Sequence, residues 1–304
     1  MYKNQTHRKM SVKLSIITVN YNGIFHTLEM LDSLYKTIFG FDFEVIVVDN
    51  GSANDETIEI KKAFPHVVVL RSEDNLGFAG GNNLGIENAQ GEYLFLLNND
   101  TIIEENGFPF LLERMECDTK IGALSPKLRF AHGDRNVQYA GTMPLSRITL
   151  RNSTIGYNEM DAMEYNVPNY TAFAHGAAML VPRKVIDKVG LMPDMYFMYY
   201  EELDWCERIR QAGYEIAYEP RCVIFHKESA TTGAKSPLLE YYLVRNRLLF
   251  AYRNRNGIER ILALAYQLFC VNPPKLIKEL FTGKKEYACA RYKGLCDFFK
   301  MKKY

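Results

Sequence analysis

The chain has 304 residues, 47% apolar, 24% charged and 13% aromatic, a globular composition that allows one or two domains. With 37 Lys and Arg against 36 Asp and Glu, the formal net charge of +1 argues against a nucleic-acid binder that works through bulk positive charge. Residues 227–304 nevertheless hold 16 basic and 6 acidic side chains, against 21 and 30 in residues 1–226. Such a basic end fits contact with an anionic surface or substrate, and equally a solvated set of basic helices.

The start, MYKNQTHRKMSVKLSIITVN, is basic but lacks the apolar stretch and cleavage site of a secretory leader, and LSIITV reads as a strand. Six widely spaced cysteines with no C-x-x-C pair fit a reducing compartment. The longest apolar stretch of the tail, 261–271, contains Gln267 and falls short of the roughly 20 residues that span a bilayer. The expected location is cytoplasmic, with at most peripheral contact on the inner face of the membrane.

Continuous apolar runs at 14–19, 43–49, 67–70 and 93–98 predict strands buried on both faces, as in a parallel sheet covered by helices. Helical segments lie between them. Residues 27–37 carry Leu28, Leu31, Leu34 and Tyr35 on one face; Asn54-Asp55 can cap ETIEIKKAF, which Pro65 closes; residues 80–89 make a third helix. Four βα units in a row predict an α/β domain with a doubly wound, mostly parallel sheet flanked by helices. Residues 129–168 read as a loop or short hairpin, FAHGAAMLVP as a strand, and Pro182 as the start of a short helix. EELDWCERIRQAG reads as a helix ended by Gly213, and YEIAYEP and CVIFH as two strands. A basic helical extension follows from Ser236, broken at Asn256-Gly257 and Pro273-Pro274. The expected division is a catalytic domain over 1–235, with halves near 13–125 and 126–235, and the extension over 236–304.

In such sheets ligands sit at the carboxyl ends of the strands. Polar clusters fall there four times: Asn20-Tyr21-Asn22, Asp49-Asn50-Gly51-Ser52, Arg71 to Asn75, and Asn98-Asn99-Asp100. Asp100 is a hard oxygen ligand for a cation, or part of a turn. Asp49 can accept from a base or a ribose, or cap its own turn. DNLGFAGGNNLG lacks the order of a dinucleotide fingerprint, but its glycines, Gly77 among them, allow close approach to a sugar or phosphate as readily as tight packing. Glu201, Glu202 and Asp204 sit among aromatic residues that can raise a carboxyl pKa toward that of a general base; acids in a first helical turn are also common for structural reasons. His226 is a metal ligand or a strand-end histidine, and His175 beside Gly176 leaves room for a sugar or simply packs.

Together SIITVNYNG, VIVVDNGSANDET, NLGFAGGNNLGI, YLFLLNND, HGAAMLVPR, YYEELDWCERIRQAGY and the late His226 resemble glycosyltransferase family 2, the inverting enzymes of the GT-A fold, and especially its rhamnosyltransferase-like branch. The resemblance implies a nucleoside pocket lined by Asn20, Tyr21, Asp49 and Arg71 to Asn75, with Asn83 beneath the diphosphate. It implies Mg²⁺ or Mn²⁺ at Asp100 beside Asn99, with His226 completing the metal shell. Glu202 takes the place of the general base with Glu201 as its neighbour, and Asp204 and Trp205 shape the acceptor side. Two departures stand out: one carboxylate in Asn98-Asn99-Asp100 where many such motifs have two, and a Glu-Glu pair where Glu-Asp is frequent. The absent Q-x-x-R-W signature favours transfer of a single sugar over processive synthesis. The branch leans toward dTDP-rhamnose as donor and a glycan or lipid-linked acceptor in bacterial surface polysaccharide synthesis. A sugar nucleotidyltransferase and a catalytically silent nucleotide-sugar-binding protein are the alternatives.

Overall fold

The computed structural model describes residues 12–227 and 236–301; the basic N-terminal start and the polar stretch 228–235 after His226 and Lys227 lie outside the described residues. Seven elements open the chain: β1 (Leu14–Asn20), α1 (Ile24–Thr37), β2 (Phe43–Asn50), α2 (Thr57–Ala63), β3 (Val68–Ser72), α3 (Gly77–Asn88) and β4 (Tyr93–Leu97). The four strands are parallel, with Leu14 opposite both Phe43 and Tyr93, and β3 on the far side of β2. Their continuous apolar runs follow from two cores, one on each face. Leu14 and Ile16 pack with Met30, Leu31 and Leu34 of α1, while Ile17 faces the other way toward Ala79 and Ile86 of α3. Each such side chain removed from water contributes roughly 1.5–3 kcal/mol. VVVL departs from expectation: β3 is the edge of the sheet, so only part of it is covered and Val68 is exposed.

The second half comprises β5 (Thr101–Ile102), α4 (Phe108–Cys117), β6 (Ile121–Phe130), β7 (Val137–Tyr139), β8 (Asn169–Thr171), β9 (Ala178–Pro182), α5 (Arg183–Val189), α6 (Glu201–Gln211) and β10 (Glu215–His226). The main strand order is β3-β2-β1-β4-β9-β6-β10-β5. Two reversals position the site. β9 runs antiparallel to β4, pairing Ala178 with Leu97, so the start of β9 lies beside the carboxyl end of β4. β10 runs antiparallel to β5, pairing His226 with Thr101. Thus three segments distant in sequence end at one edge of the parallel strands.

The excursion after residue 129 begins as the hairpin of β6 and β7 and continues irregularly to β8. YEIAYEP and CVIFH form one strand rather than two, interrupted by a register shift between Glu219 and Val223, where Pro220 has no N–H to give to a ladder. The chain then forms α7 (Pro237–Asn254), α8 (Gly257–Ala265), a π-helical segment (Tyr266–Val271), α9 (Asn272–Phe281) and α10 (Lys285–Met301). Ser236 Oγ caps α7 by accepting from the Leu239 N–H at 3.1 Å. Val244, Leu248, Leu249 and Phe250 of α7 join the core that holds Trp205 and Ile209. Pro273-Pro274 starts α9 instead of opening a gap, because missing N–H groups are tolerated in a first helical turn.

Candidate active site

The ends of β1, β2, β3 and β4 are tied into one polar network. Asn20 is buried; its Nδ2 donates to Asp49 Oδ1 at 3.1 Å and to Glu56 Oε2 at 2.7 Å, and its Oδ1 accepts from Thr27 Oγ1 at 2.7 Å. Thr27 Oγ1 in turn accepts from Asn99 Nδ2 at 3.0 Å. The other oxygen of Asp49 pairs with the Arg71 guanidinium. The polar atoms of Asn20 and Asp49 are thus engaged with one another and with Glu56, Thr27 and Arg71 at the strand ends where a nucleoside pocket is expected. Tyr21 is exposed and Arg71 is partly so, and these two offer the ring and the donors at the surface.

The turn before α3 is pinned by Asn50, a residue not singled out as a site by its type. Its amide accepts from Leu76 N at 3.0 Å and donates to Asn75 Oδ1 at 3.1 Å and Gly77 O at 3.0 Å. Gly77, at φ 74°, lies so close to Phe197 that an added Cβ would sit 2.3 Å from the Phe197 carbonyl oxygen. Close packing thus explains this glycine. Asn83 departs from the expected place beneath a diphosphate: its amide donates to Met192 O at 2.8 Å and accepts from Met192 N at 3.1 Å, joining α3 to the chain 109 residues later.

Asp100 and His226 come together as expected. His226 Nε2 lies 3.1 Å from Asp100 Oδ1, and both side chains are nearly buried. The imidazole Nδ1 lies 2.9 Å from Gln138 Oε1, an atom that can only accept, which places a hydrogen on Nδ1 and directs Nε2 at Asp100. Burial pushes the Asp100 carboxyl up, but the adjoining His226 outweighs that and holds it below the ordinary value. A carboxylate oxygen and an imidazole lone pair facing one another fit a divalent cation. Among the described residues no group of three or more His, Cys, Asp or Glu converges as a metal site.

Glu201 and Glu202 open α6 behind a strained turn. Phe197, Tyr199 and Tyr200 have φ of 65°, 69° and 80°, a left-handed region costing non-glycine residues on the order of 1–3 kcal/mol each. α7 holds this turn in place. The buried Asn246 Nδ2 is shared among the carbonyls of Tyr196, Met198 and Tyr199 at 3.0, 2.7 and 2.9 Å, and Arg245 Nη2 adds a bond to Tyr196 O at 2.6 Å. One oxygen of each glutamate is buried without a hydrogen-bond partner. Burial, and then the charge of Glu202, pushes Glu201 well above the ordinary carboxyl value; burial likewise raises Glu202. The pair accordingly retains a proton where isolated glutamates would lose theirs.

His175 and Gly176 join the two halves of the site. The His175 ring stands edge-on to His226, centroids 6.2 Å apart, while a Cβ built on Gly176 would lie 3.7 Å from Glu202 Cγ and 3.8 Å from the Phe78 ring. Asp100, His226, His175, Gly176 and Glu202 thus form a contiguous series across the strand ends. His175 Nδ1 accepts from the Ala177 N–H at 3.1 Å, and burial, followed by the nearby His226, lowers its pKa to about 3. It is a neutral imidazole near pH 7.

Asp204 and Trp205 do not take the acceptor-side position expected of them. Asp204 Oδ2 accepts from Tyr196 Oη, Arg253 Nε and Asn254 Nδ2 at 2.8, 2.8 and 2.9 Å, locking α6 to α7. Trp205 is fully buried and donates to Gly190 O at 2.9 Å. Both face the core because α6 turns its Asp204–Trp205–Ile209 side inward. Gln138 and Asn246 went unrecognised in the sequence; neither lies in a motif, and only the fold brings them 88 residues to His226 and 47 to Tyr199.

The model of glycosyl transferase family 2 matches residues 15–190. The chain is 27% identical over 297 residues to the low-salt glycan biosynthesis hexosyltransferase Agl10 of Haloferax volcanii, covering 94% of this chain and 92% of that protein. It is 25% identical over 246 residues to N-acetylglucosaminyl-diphospho-decaprenol L-rhamnosyltransferase of Mycobacterium tuberculosis, covering 74% and 79%. Among solved structures it is similar to S. aureus TarS, with a TM-score of 0.59 and 18% identity over 92% of this chain and 79% of that one. It is also similar to a mannosyltransferase of Pyrobaculum calidifontis in complex with GDP-Man and Mn²⁺, TM-score 0.59 and 17% identity, over 93% and 84%. These structural likenesses establish the fold. The family match covers more than half of the sequence, and the protein belongs to glycosyl transferase family 2 as a glycosyltransferase of GT-A fold.

Proposed function

We propose that the protein transfers a single sugar, with inversion, from a nucleotide-diphosphate sugar to an acceptor hydroxyl. Asp100 and His226 hold Mg²⁺ or Mn²⁺, and Glu202 is the general base with Glu201 beside it. The observation that carries this reading is the contiguous series from Asp100 through His226, His175 and Gly176 to Glu202. When bound, the cation supplies positive charge against the diphosphate leaving group.

The chain's own residues do the rest. Arg71 and Tyr21 meet the nucleoside, supported from below by Asn20 and Asp49. Asn75 and Gly77 set the turn that approaches the donor, and Asn99 fixes the backbone beside Asp100. His175 and Gly176 leave space for the sugar between the two carboxylate centres. Glu202 takes the proton of the acceptor hydroxyl as it attacks the face opposite the leaving diphosphate. Its raised pKa makes it a stronger base than an exposed glutamate, provided the pH lies above that value.

The mannosyltransferase structure with GDP-Man and Mn²⁺ supports a sugar nucleotide with a divalent ion. The names of the Haloferax and Mycobacterium relatives support a glycan or lipid-linked acceptor, and the latter supports rhamnose as the sugar. The cytoplasm, with contact at the inner face of the membrane, suits such an acceptor. The reading is tested by incubating the protein and Mn²⁺ with UDP-, GDP- and dTDP-sugars, following thermal shift and the anomeric configuration of the product by NMR. One donor is expected to stabilise the protein and yield an inverted product; retention of configuration contradicts the reading.

A further inference from the structure

The helical region from α8 through the π segment to α9 is continuous, and one side of it is apolar and uncovered. Ile258, Ile261, Phe269, Ile277, Leu280 and Phe281 are all exposed, Phe269 to 75% and Phe281 to 88%. On a regular α-helix a spacing of eight residues drifts by most of a quarter turn; the wider π turn at Tyr266–Val271 takes up the extra residue, so the stripe continues across it. α7 does not contribute, because its apolar residues Val244, Leu248 and Phe250 lie in the core. Monomeric soluble proteins seldom expose so long an apolar stripe without a partner for it.

The charges around the stripe identify that partner. Lys278, Lys284 and Lys285 are exposed along α9 and its junction with α10. Of the nearby carboxylates Glu259 pairs with Arg147 and Glu279 with the buried Arg291, which leaves Glu286 against these three lysines. An apolar face edged by unbalanced lysines matches hydrocarbon bordered by anionic headgroups. No helix among the described residues is long and apolar enough to cross a membrane. We infer that α8, the π segment and α9 lie in the plane of an anionic lipid bilayer.

The docking does not rest on the function proposed above.

The test is co-sedimentation of the full chain with phosphatidylcholine vesicles, with and without phosphatidylglycerol. The protein is expected to pellet with the anionic vesicles, less so at high salt, and hardly with the neutral ones. Phe269→Glu with Ile277→Glu should reduce binding at least about tenfold, since each substitution removes a large apolar contact, while the melting temperature and donor-induced thermal shift stay unchanged. Lys278→Ala with Lys284→Ala should weaken binding only to anionic vesicles. A protein that stays in the supernatant with both vesicles, or a double glutamate variant that pellets like the parent, overturns the inference. So does a dimer by light scattering that the glutamate variant dissociates, because a second copy then covers the stripe. None of these readouts depends on turnover, so loss of docking and failure of the transferase reading are distinguishable.

Discussion

Nε2 of His226 lies 3.1 Å from Oδ1 of Asp100 while its Nδ1 is bonded to Gln138, so the ring turns Nε2 toward a carboxylate. At that distance the contact is favourable only with a cation or a proton between the two atoms. Asp100→Asn should relieve this, because an amide can donate to Nε2. At pH 8 without metal the variant is expected to melt no lower than the parent, yet to lose about a hundredfold or more in Mn²⁺-stimulated transfer. Thermal denaturation and metal-dependent rates on the same preparation check both halves.

On the proposed function, Gln138 would act on the cation only through the His226 ring. Replacing it with Leu frees the ring to flip or change tautomer, and partners of this kind typically matter 10- to 100-fold in metal affinity. We expect Gln138→Leu to raise the Mn²⁺ concentration for half-maximal activity by about that factor, with nearly normal rates at saturation. An unchanged Mn²⁺ dependence would show that His226 is not a ligand.

Glu202→Gln should lower kcat by about 10²–10⁴-fold with little change in donor binding. The pH dependence carries a second signature. Both glutamate carboxyls are raised above the ordinary 4.5, so the folded protein retains protons that the unfolded chain releases. Their contribution to stability is fully present below pH 4.5 and is lost as pH rises through the raised values. Turnover should rise over that same range as Glu202 ionises. Melting curves across pH for the parent and Glu201→Gln isolate the effect; a variant whose stability falls with pH as steeply as the parent's contradicts it.

Asn246 satisfies three carbonyls of a turn in which Phe197, Tyr199 and Tyr200 are left-handed. Asn246→Ala should cost about 1–3 kcal/mol by leaving buried carbonyls unpaired, and should reduce kcat more than it raises the donor KM, since Glu201 and Glu202 follow the turn directly. Asn246→Asp should be worse on both counts, because a carboxylate faces carbonyl oxygens. Urea melts and steady-state kinetics measure the two effects.

The parallel order of β1 to β4 was readable because it depends on local pattern, continuous apolar runs each followed by a polar cluster, whereas the meeting of Asp100 with His226 came from the family resemblance alone. What those clusters do was less readable. Asp49 has the chemistry to receive a nucleoside, and the fold gives it Arg71, 22 residues on, as a partner. Asp204 sits in the acidic run beside the glutamates, yet the helical turn points it at Arg253 and Asn254. The resemblance puts Asn83 beneath the diphosphate, and in the fold its amide is tethered to Met192. In each case the decisive partner comes from a distant part of the chain.

A crystal structure of the protein with Mn²⁺ and the nucleoside diphosphate of its donor decides whether Asp100 and His226 hold the ion. Anomalous density is expected within bonding distance of Asp100 Oδ1 and His226 Nε2, against the diphosphate, with Glu202 open to the facing side of the cleft. Manganese bound away from both residues, or a diphosphate seated while the two still face each other without an ion, contradicts the account.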